Sequence, residues 1–244
     1  MQVLCLGNGD AFSRDRYSTS FVVEAEGARL LVDCPHPIRK MLAEADPALD
    51  LGHLDALLLT HLHGDHASGV EGWAFAHHFG LGRRGVLLAH PEVAGPLWGQ
   101  HLQVTMQDLL GADGAKPPMT FADYFDLRPL DEAAPVTVGP FTVQVRRTRH
   151  HIPTFAFRVH AAGVTLGYSA DTAWDPALFA WLSEGADLVI HETNLGPAHT
   201  PYAALLALPA AAQARMRVVA WPDGLDVFSG PIRPLVPGER VPVG

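Results

Sequence analysis

The feature that most constrains this chain is a short run of metal-capable side chains directly after an apolar strand. Residues 60–66 read Thr-His-Leu-His-Gly-Asp-His, and they follow the apolar residues 56–59. A strand that runs into a glycine-containing turn can direct His61, His63, Asp65 and His66 around one point. Imidazole and carboxylate groups suit zinc, manganese or iron. Because thiolates are absent from the run, it is typical of a catalytic site that keeps one position open for water.

Further motifs follow in a fixed order along most of the chain. They occupy residues 4–12, 30–34, 150–153, 167–172, 191–194 and 199–200. Together with the run at 60–66, they resemble the metallo-β-lactamase superfamily. The last two resemble segments of the branch that contains tRNA 3′-processing nucleases and small cyclic phosphodiesterases. The resemblance implies a metal-dependent hydrolase.

The resemblance also implies a set of metal ligands. In the superfamily pattern a His precedes a hydrophobic-Pro pair by two positions, which selects His150 and not its neighbour His151. Asp171 matches the residue that bridges two metals. His61, His63 and His150 are therefore expected to hold one metal, and Asp65 and His66 to begin a second site. We expect zinc, one ion tight and a second weaker, with manganese or iron as alternatives.

One residue of the pattern is missing. The branch usually ends with a strand leading to a final His that binds the second metal. Here the strand at 216–220 leads to Ala220 and Trp221, so neither candidate position carries an imidazole. Asp223 is the nearest residue that could reach inward as a substitute.

Three residues outside the ligand set are candidates for catalysis beside Asp65. His191 closes an apolar strand and is expected to protonate the leaving group, because a neutral-range imidazole can donate a proton. Glu192 is expected to orient it. His199 precedes a helix start at Thr200-Pro201 and is expected to face the substrate or to support a residue that does.

The pattern of elements favours an α/β fold. Strands group at both ends of the chain, with helices between and after them, and this arrangement suits two sheets face to face with helices outside. The resemblance implies the four-layer αββα sandwich, which we expect as a single domain over residues 1–244. Residues 67–125 are expected to be rich in helix, and the proline-rich residues 231–238 to form an ordered tail without regular structure.

Composition limits the classes of partner that we expect for this chain. The net charge is −9, and only Arg146, Arg147 and Arg149 form a basic cluster. A nucleic-acid-binding protein usually shows a larger basic patch, so no nucleic acid is expected as partner. No leader-like segment and no apolar stretch of about 18 residues is evident, so no membrane partner and a cytoplasmic location are expected. A homodimer is possible.

The expected substrate is a small molecule. The tRNA-processing members carry a long arm between the third His motif and the bridging Asp, whereas here about twenty residues separate His150 from Asp171. A small phosphodiester, cyclic or nucleotide-like, is the first choice. Two alternatives stay open: hydrolysis of a carboxylic ester, lactone or thioester, and a non-catalytic binding protein that kept the fold with an incomplete second metal site.

Overall fold

Two seven-stranded mixed sheets form the body of the protein. The computed structural model describes all 244 residues. The first sheet has the order β14-β1-β2-β3-β4-β5-β6, and its strands from β3 to β6 are parallel. These strands are β1 Gln2–Gly7, β2 Ser20–Ala25, β3 Ala28–Val32, β4 Ala56–Leu58, β5 Gly85–Ala89, β6 Phe125–Pro129 and β14 Arg240–Pro242.

The second sheet has the order β13-β12-β11-β10-β9-β8-β7, with β10 to β13 parallel. Its strands are β7 Val136–Val138, β8 Phe141–Arg147, β9 Phe155–Ala161, β10 Val164–Tyr168, β11 Leu188–Glu192, β12 Met216–Val219 and β13 Arg233–Pro234. The loops after β4, β10 and β11, which carry three of the motifs, leave the carboxyl ends of strands with parallel neighbours. This is where open α/β sheets place their ligands.

Short helices follow the strands. They are α1 Ile38–Ala45, α2 Gly64–Ala67, α3 Val70–Phe75, α4 Pro91–Pro96, α5 Gln103–Met106, α6 Phe121–Tyr124, α7 Pro176–Ser183, α8 Tyr202–Leu206 and α9 Ala210–Gln213. A 3₁₀ turn at Leu51–His53 and π-helical turns at Ala76–Gly80 and Leu97–Leu102 complete the set. The expected four-layer αββα sandwich is confirmed.

Two apolar clusters hold the layers together. The larger contains 54 buried residues and lies both between the sheets and between the first sheet and its helices. Between the sheets, the rings of Phe21 and Tyr168 meet edge to face at 5.0 Å. The smaller joins the outer face of the second sheet to α7 and α8. On β9 successive residues divide between the clusters: Phe155 and Phe157 belong to the larger and Ala156 to the smaller. This division follows from the two-residue period of a strand.

The region 67–125 is rich in helix, as expected, and contains α3 to α6. The expectation that the tail lacks regular structure was wrong. The tail contains Arg233–Pro234, which pairs with β12, and is followed by β14, which pairs with β1. Prolines are tolerated here because β13 and β14 lie at sheet edges, where a missing amide donor breaks no ladder.

No helix of the protein is both long enough and apolar enough to cross a membrane.

Candidate metal centre

The metal-capable run lies where β4 ends and α2 begins. His61 is fully buried in this loop, and His63 immediately precedes α2. Asp65 and His66 lie within α2 itself. The turn into the helix therefore directs all four side chains toward the gap between the sheets. From the second sheet, His150 comes from the loop between β8 and β9, and Asp171 from the loop after β10.

These side chains form two groups that share one residue. His61, His63, His150 and Asp171 each offer a ligand atom, and these atoms lie within 4.8 Å of one another. Within this group His150 Nε2 is 3.0 Å from His63 Nδ1 and 3.7 Å from Asp171 Oδ2. His61 Nε2 is 3.8 Å from the same carboxylate oxygen. Three imidazoles and a carboxylate at these distances suit a divalent cation.

The second group consists of Asp65, His66 and Asp171, whose ligand atoms also lie within 4.8 Å of one another. His66 Nε2 is 3.4 Å from Asp65 Oδ2 and 3.5 Å from Asp171 Oδ1. Asp171 thus turns one oxygen to each group. Its carboxylate could therefore give one oxygen to each of two cations.

Unpartnered buried atoms at the centre test whether these residues fit a metal. His61 Nε2 and Asp171 Oδ1 are buried without a hydrogen-bond partner. An orphaned buried polar atom is costly, and a cation would satisfy both. Burial and the surrounding imidazoles hold the pKa of His61 well below its ordinary value, so its lone pair is free for coordination. The donor set therefore fits a metal pair.

The charges at the second group also favour a bound metal. Burial alone would lower the pKa of His66, but the carboxylates of Asp171, Asp33 and Asp65 raise it well above its ordinary value. The protonated ring then serves as the cation among these acids. A metal ion would take over this role and displace the proton, because a ligating imidazole must be neutral.

Asp33 orients this loop, a role that sequence reasoning missed. Its carboxylate accepts hydrogen bonds from the Thr60 amide at 2.8 Å and from the Thr60 hydroxyl, and it pairs with His66 Nδ1 at 2.7 Å. The Thr60 hydroxyl in turn lies 2.9 Å from His61 Nδ1. Both rings therefore present Nε2 to the centre. The signal available in the sequence was an Asp that closes the strand next to β4.

Glu192 and His199 form a pair beside the cluster. Glu192 is buried, and its Oε1 accepts hydrogen bonds from the amides of Thr172 and Thr200 at 3.0 and 3.1 Å. The same oxygen lies 3.2 Å from His199 Nδ1, which must donate because a carboxylate only accepts. Burial alone would lower the pKa of His199, but this contact with Glu192 raises it. His199 lines the central cavity with its ring 5.1 Å from that of His150.

His191 faces away from the cluster, which corrects its expected role as proton donor. Its ring lies on the α7 side of β11, 6.1 Å from Trp174 and 6.2 Å from Phe179 between ring centres. Its Nδ1 bonds to the Glu192 carbonyl at 2.8 Å. Burial lowers the pKa of His191 to about 4. Because neighbours on a strand face opposite sides, only Glu192 turns toward the cleft.

The segment that lacks the final His offers no replacement ligand of its own. Ala220 lines the cavity in the left-handed region, with φ of 57°, and Trp221 is buried with Arg16 stacked on it at 4.7 Å. Asp223 does not reach inward: its carboxylate accepts hydrogen bonds from the Ser13 hydroxyl and the Arg14 amide, both at 2.7 Å. The second group thus keeps three protein ligands.

The cavity above the two groups has a volume of about 660 Å³. Sequence reasoning assigned no role to several residues of its wall, although some of them lie within the motifs at 4–12 and 191–194. These are Asp10, Ala11, Phe12, Ser18 and Asn194. None of the lining residues is Lys or Arg. Arg147 is paired with Glu92, and Arg149 lies 3.1 Å from Asp175.

Comparison with known proteins gives consistent results. Residues 1–233 match the family described as "Anti-Pycsar protein Apyc1". A protein of that name from Paenibacillus sp. (strain J14) is 31% identical over 238 residues, which cover 94% of this chain and 93% of the relative. Another from Saccharibacillus brassicae is 30% identical, with coverage of 94% and 93%.

Solved structures show the same fold at low identity. The metallo-β-lactamase fold protein YhfI from Bacillus subtilis aligns with a TM-score of 0.75 at 22% identity and covers 98% of both chains. The short form of human tRNase Z aligns with a TM-score of 0.73 at 20% identity and covers all of both chains. At such identities the likeness concerns the architecture.

Proposed function

Because this chain belongs to the Anti-Pycsar protein Apyc1 family, we propose that it is a metal-dependent phosphodiesterase that opens a small cyclic nucleotide. The observation that carries the proposal is the shared Asp171 between a group of four donors and a group of three. Two metal ions held by these groups would clamp the attacking and leaving oxygens of a phosphoryl transfer. The relatives' name says that they act against Pycsar, and degradation of a cyclic nucleotide agrees with that name.

Six residues are proposed as metal ligands. One metal would be held by His61, His63 and His150, and the second by Asp65 and His66, with Asp171 shared between them. Zinc suits this set of nitrogen and oxygen ligands, with manganese or iron as alternatives. Bound metal supplies a water whose pKa falls to about 7 and charge that offsets the phosphate. Since the cavity wall has no Lys or Arg, the phosphate depends on the metal positions for neutralisation.

His199 is proposed as the proton donor. Water attacks phosphorus and releases one proton to solvent, the bond between phosphorus and one ribose oxygen breaks, and that oxygen takes a proton from His199 Nε2. Glu192 holds Nδ1 of the same ring and favours the protonated form, which a donor needs. The product is a linear nucleoside monophosphate, and a proton from water restores the ring.

A substrate panel tests the proposal. Metal-loaded protein is incubated with purine and pyrimidine 3′,5′-cyclic nucleotides, bis(p-nitrophenyl) phosphate, a precursor tRNA, and a set of carboxylic esters, lactones and thioesters. We expect turnover of the cyclic nucleotides and none of the tRNA. His63→Ala should lose bound metal and activity together. His101→Ala, an exposed His outside this cavity, is the matched control and should keep both.

Two outcomes would contradict the proposal. Faster hydrolysis of esters or lactones than of cyclic nucleotides would identify the protein as a carboxylic-ester hydrolase. Metal binding without turnover of any member of the panel would favour a non-catalytic binding protein.

A further inference from the structure

An exposed aromatic ring stands at the rim of the candidate metal cavity. The side chain of Phe12 is 90% exposed, yet it belongs to the cavity wall with His63, Asp65 and His199. Single exposed apolar residues are common on protein surfaces, so exposure alone carries no meaning. The position of Phe12 and the stiffness of its loop distinguish it.

The loop that carries Phe12 is clamped at both ends. The Phe12 amide donates to Asp10 Oδ1 at 3.2 Å. On the other side, Asp223 accepts hydrogen bonds from Ser13 and Arg14, each at 2.7 Å. Arg16 donates to the Trp221 carbonyl at 2.9 Å and stacks on its ring. A ring on a loop that is already ordered loses little entropy when a ligand packs on it.

A second segment meets this loop at the cavity. Asn194 Nδ2 donates to Asp10 Oδ2 at 3.2 Å, so a hydrogen bond joins the segments of Phe12 and Asn194. Asp10 is buried, and both members of this polar pair line the cavity. The rim thus combines the exposed ring of Phe12 with a fixed polar pair beside it. None of these groups is positively charged, so the rim suits a neutral planar group and not the phosphate itself.

We propose that Phe12 is the stacking platform for the nucleobase of the substrate, with Asp10 and Asn194 at the polar edge of this subsite. The inference rests on the proposed function and adds a base subsite to it. A cavity of about 660 Å³ falls within the usual range for small-molecule sites. With the phosphate at the His and Asp groups, the base would reach the rim of the same cavity.

The test compares substrates with and without a base. In steady-state assays with a 3′,5′-cyclic nucleotide, Phe12→Ala should raise KM about tenfold, within the usual range for stacking of a base on an aromatic ring, with little change in kcat. A methyl riboside 3′,5′-cyclic phosphate, which has no base, should be cleaved equally by both proteins. Phe12→Trp should restore the KM. The control Phe79→Ala removes a ring that is 65% exposed and outside the cavity wall, and it should change nothing.

Calorimetric binding of a cyclic nucleotide phosphorothioate separates the two levels of the proposal. Equal KM values for Phe12→Ala and the unchanged protein, with efficient cleavage by both, would overturn the subsite and leave the function standing. Binding without cleavage, weakened by Phe12→Ala, would keep the subsite and overturn the function. If the protein shows no binding and no cleavage, both the subsite and the proposed function are overturned. If Phe12→Ala instead splits a dimer on size-exclusion chromatography, Phe12 contacts a second copy and the subsite is wrong.

Discussion

Asp171 is the residue on which the candidate centre depends most. It is buried, and its two oxygens face different ligand groups. The first group surrounds its oxygen with three imidazoles, whereas the second adds only Asp65 and His66. Fewer protein ligands leave more positions for water at the second group. We therefore expect one metal to be held tightly and the other more weakly.

Reinstating the missing imidazole should reduce the difference between the two metal affinities. Ala220→His places a ligand on the cavity wall that already includes Asp65 and Asp171. His tolerates the left-handed backbone at this position better than most residues do. We expect the weaker metal to bind at least about tenfold more tightly, equivalent to about 1.4 kcal/mol, in titrations of chelator-stripped protein.

The control for this change is Ala220→Asn. Asn accepts the same backbone conformation but brings no imidazole. It should leave both metal affinities close to their original values. If Ala220→His and Ala220→Asn behave alike, the residue at 220 does not face the second metal.

At the scale of elements, Glu24 on β2 links the neighbouring strands of the first sheet. Its carboxylate accepts hydrogen bonds from Gln2 on β1 at 2.8 Å, and from Arg29 on β3 and Arg240 on β14 at 3.1 Å. Burial raises the pKa of Glu24, but these donors outweigh it and lower the pKa below its ordinary value of 4.5. Ionised Glu24 therefore stabilises the folded protein. This stabilisation is fully present above pH 4.5 and is lost as the pH falls through the lower, folded-state pKa.

Glu24→Gln should remove this acid sensitivity. Between about pH 6 and pH 3, the unchanged protein should lose about 1 kcal/mol more unfolding free energy than the variant, the upper range for an ion pair near the surface. Urea denaturation of both proteins in chelator measures the difference and removes the effect of metal. Glu44→Gln, which removes an exposed pair with Lys40, is the control and should follow the unchanged protein. A variant as acid-sensitive as the parent would exclude Glu24 as the source.

The elements also show where sequence reasoning works and where it stops. The run at 60–66 is contiguous, so its local turn brings His61, His63, Asp65 and His66 together without knowledge of the rest of the fold. His191 and Glu192 are adjacent on one strand, and strand period alone allows only one of them to face the cleft. Which one does so depends on the packing of β11 against α7, which involves residues distant in sequence.

The residues of the cavity wall also could not be predicted from local sequence. Asp10 and Phe12 belong to the motif at 4–12 and Asn194 to the motif at 191–194, but no spacing rule shows that these side chains meet at one cavity. They meet because β1, β11 and β12 end at one edge of the sandwich. Likewise, β14 was unexpected because its pairing with β1 joins opposite ends of the chain.

At the scale of the whole molecule, the candidate metal ligands come from both sheets. His61, His63, Asp65 and His66 follow β4 of the first sheet, while His150 and Asp171 belong to loops of the second. Both groups therefore draw ligands from both sheets. The proposed function requires two metals that act as one unit on a phosphodiester, so a single ion would be insufficient.

The measurement that tests this claim most directly is a stepwise metal titration. Chelator-stripped protein receives zinc in fractions of an equivalent, and bound metal and hydrolysis of a 3′,5′-cyclic nucleotide are recorded at each step. We predict little activity while the first equivalent binds, and a rise in activity as the second, weaker equivalent fills. Full activity at one equivalent, or activity independent of bound metal, would contradict the claim that both ions are needed.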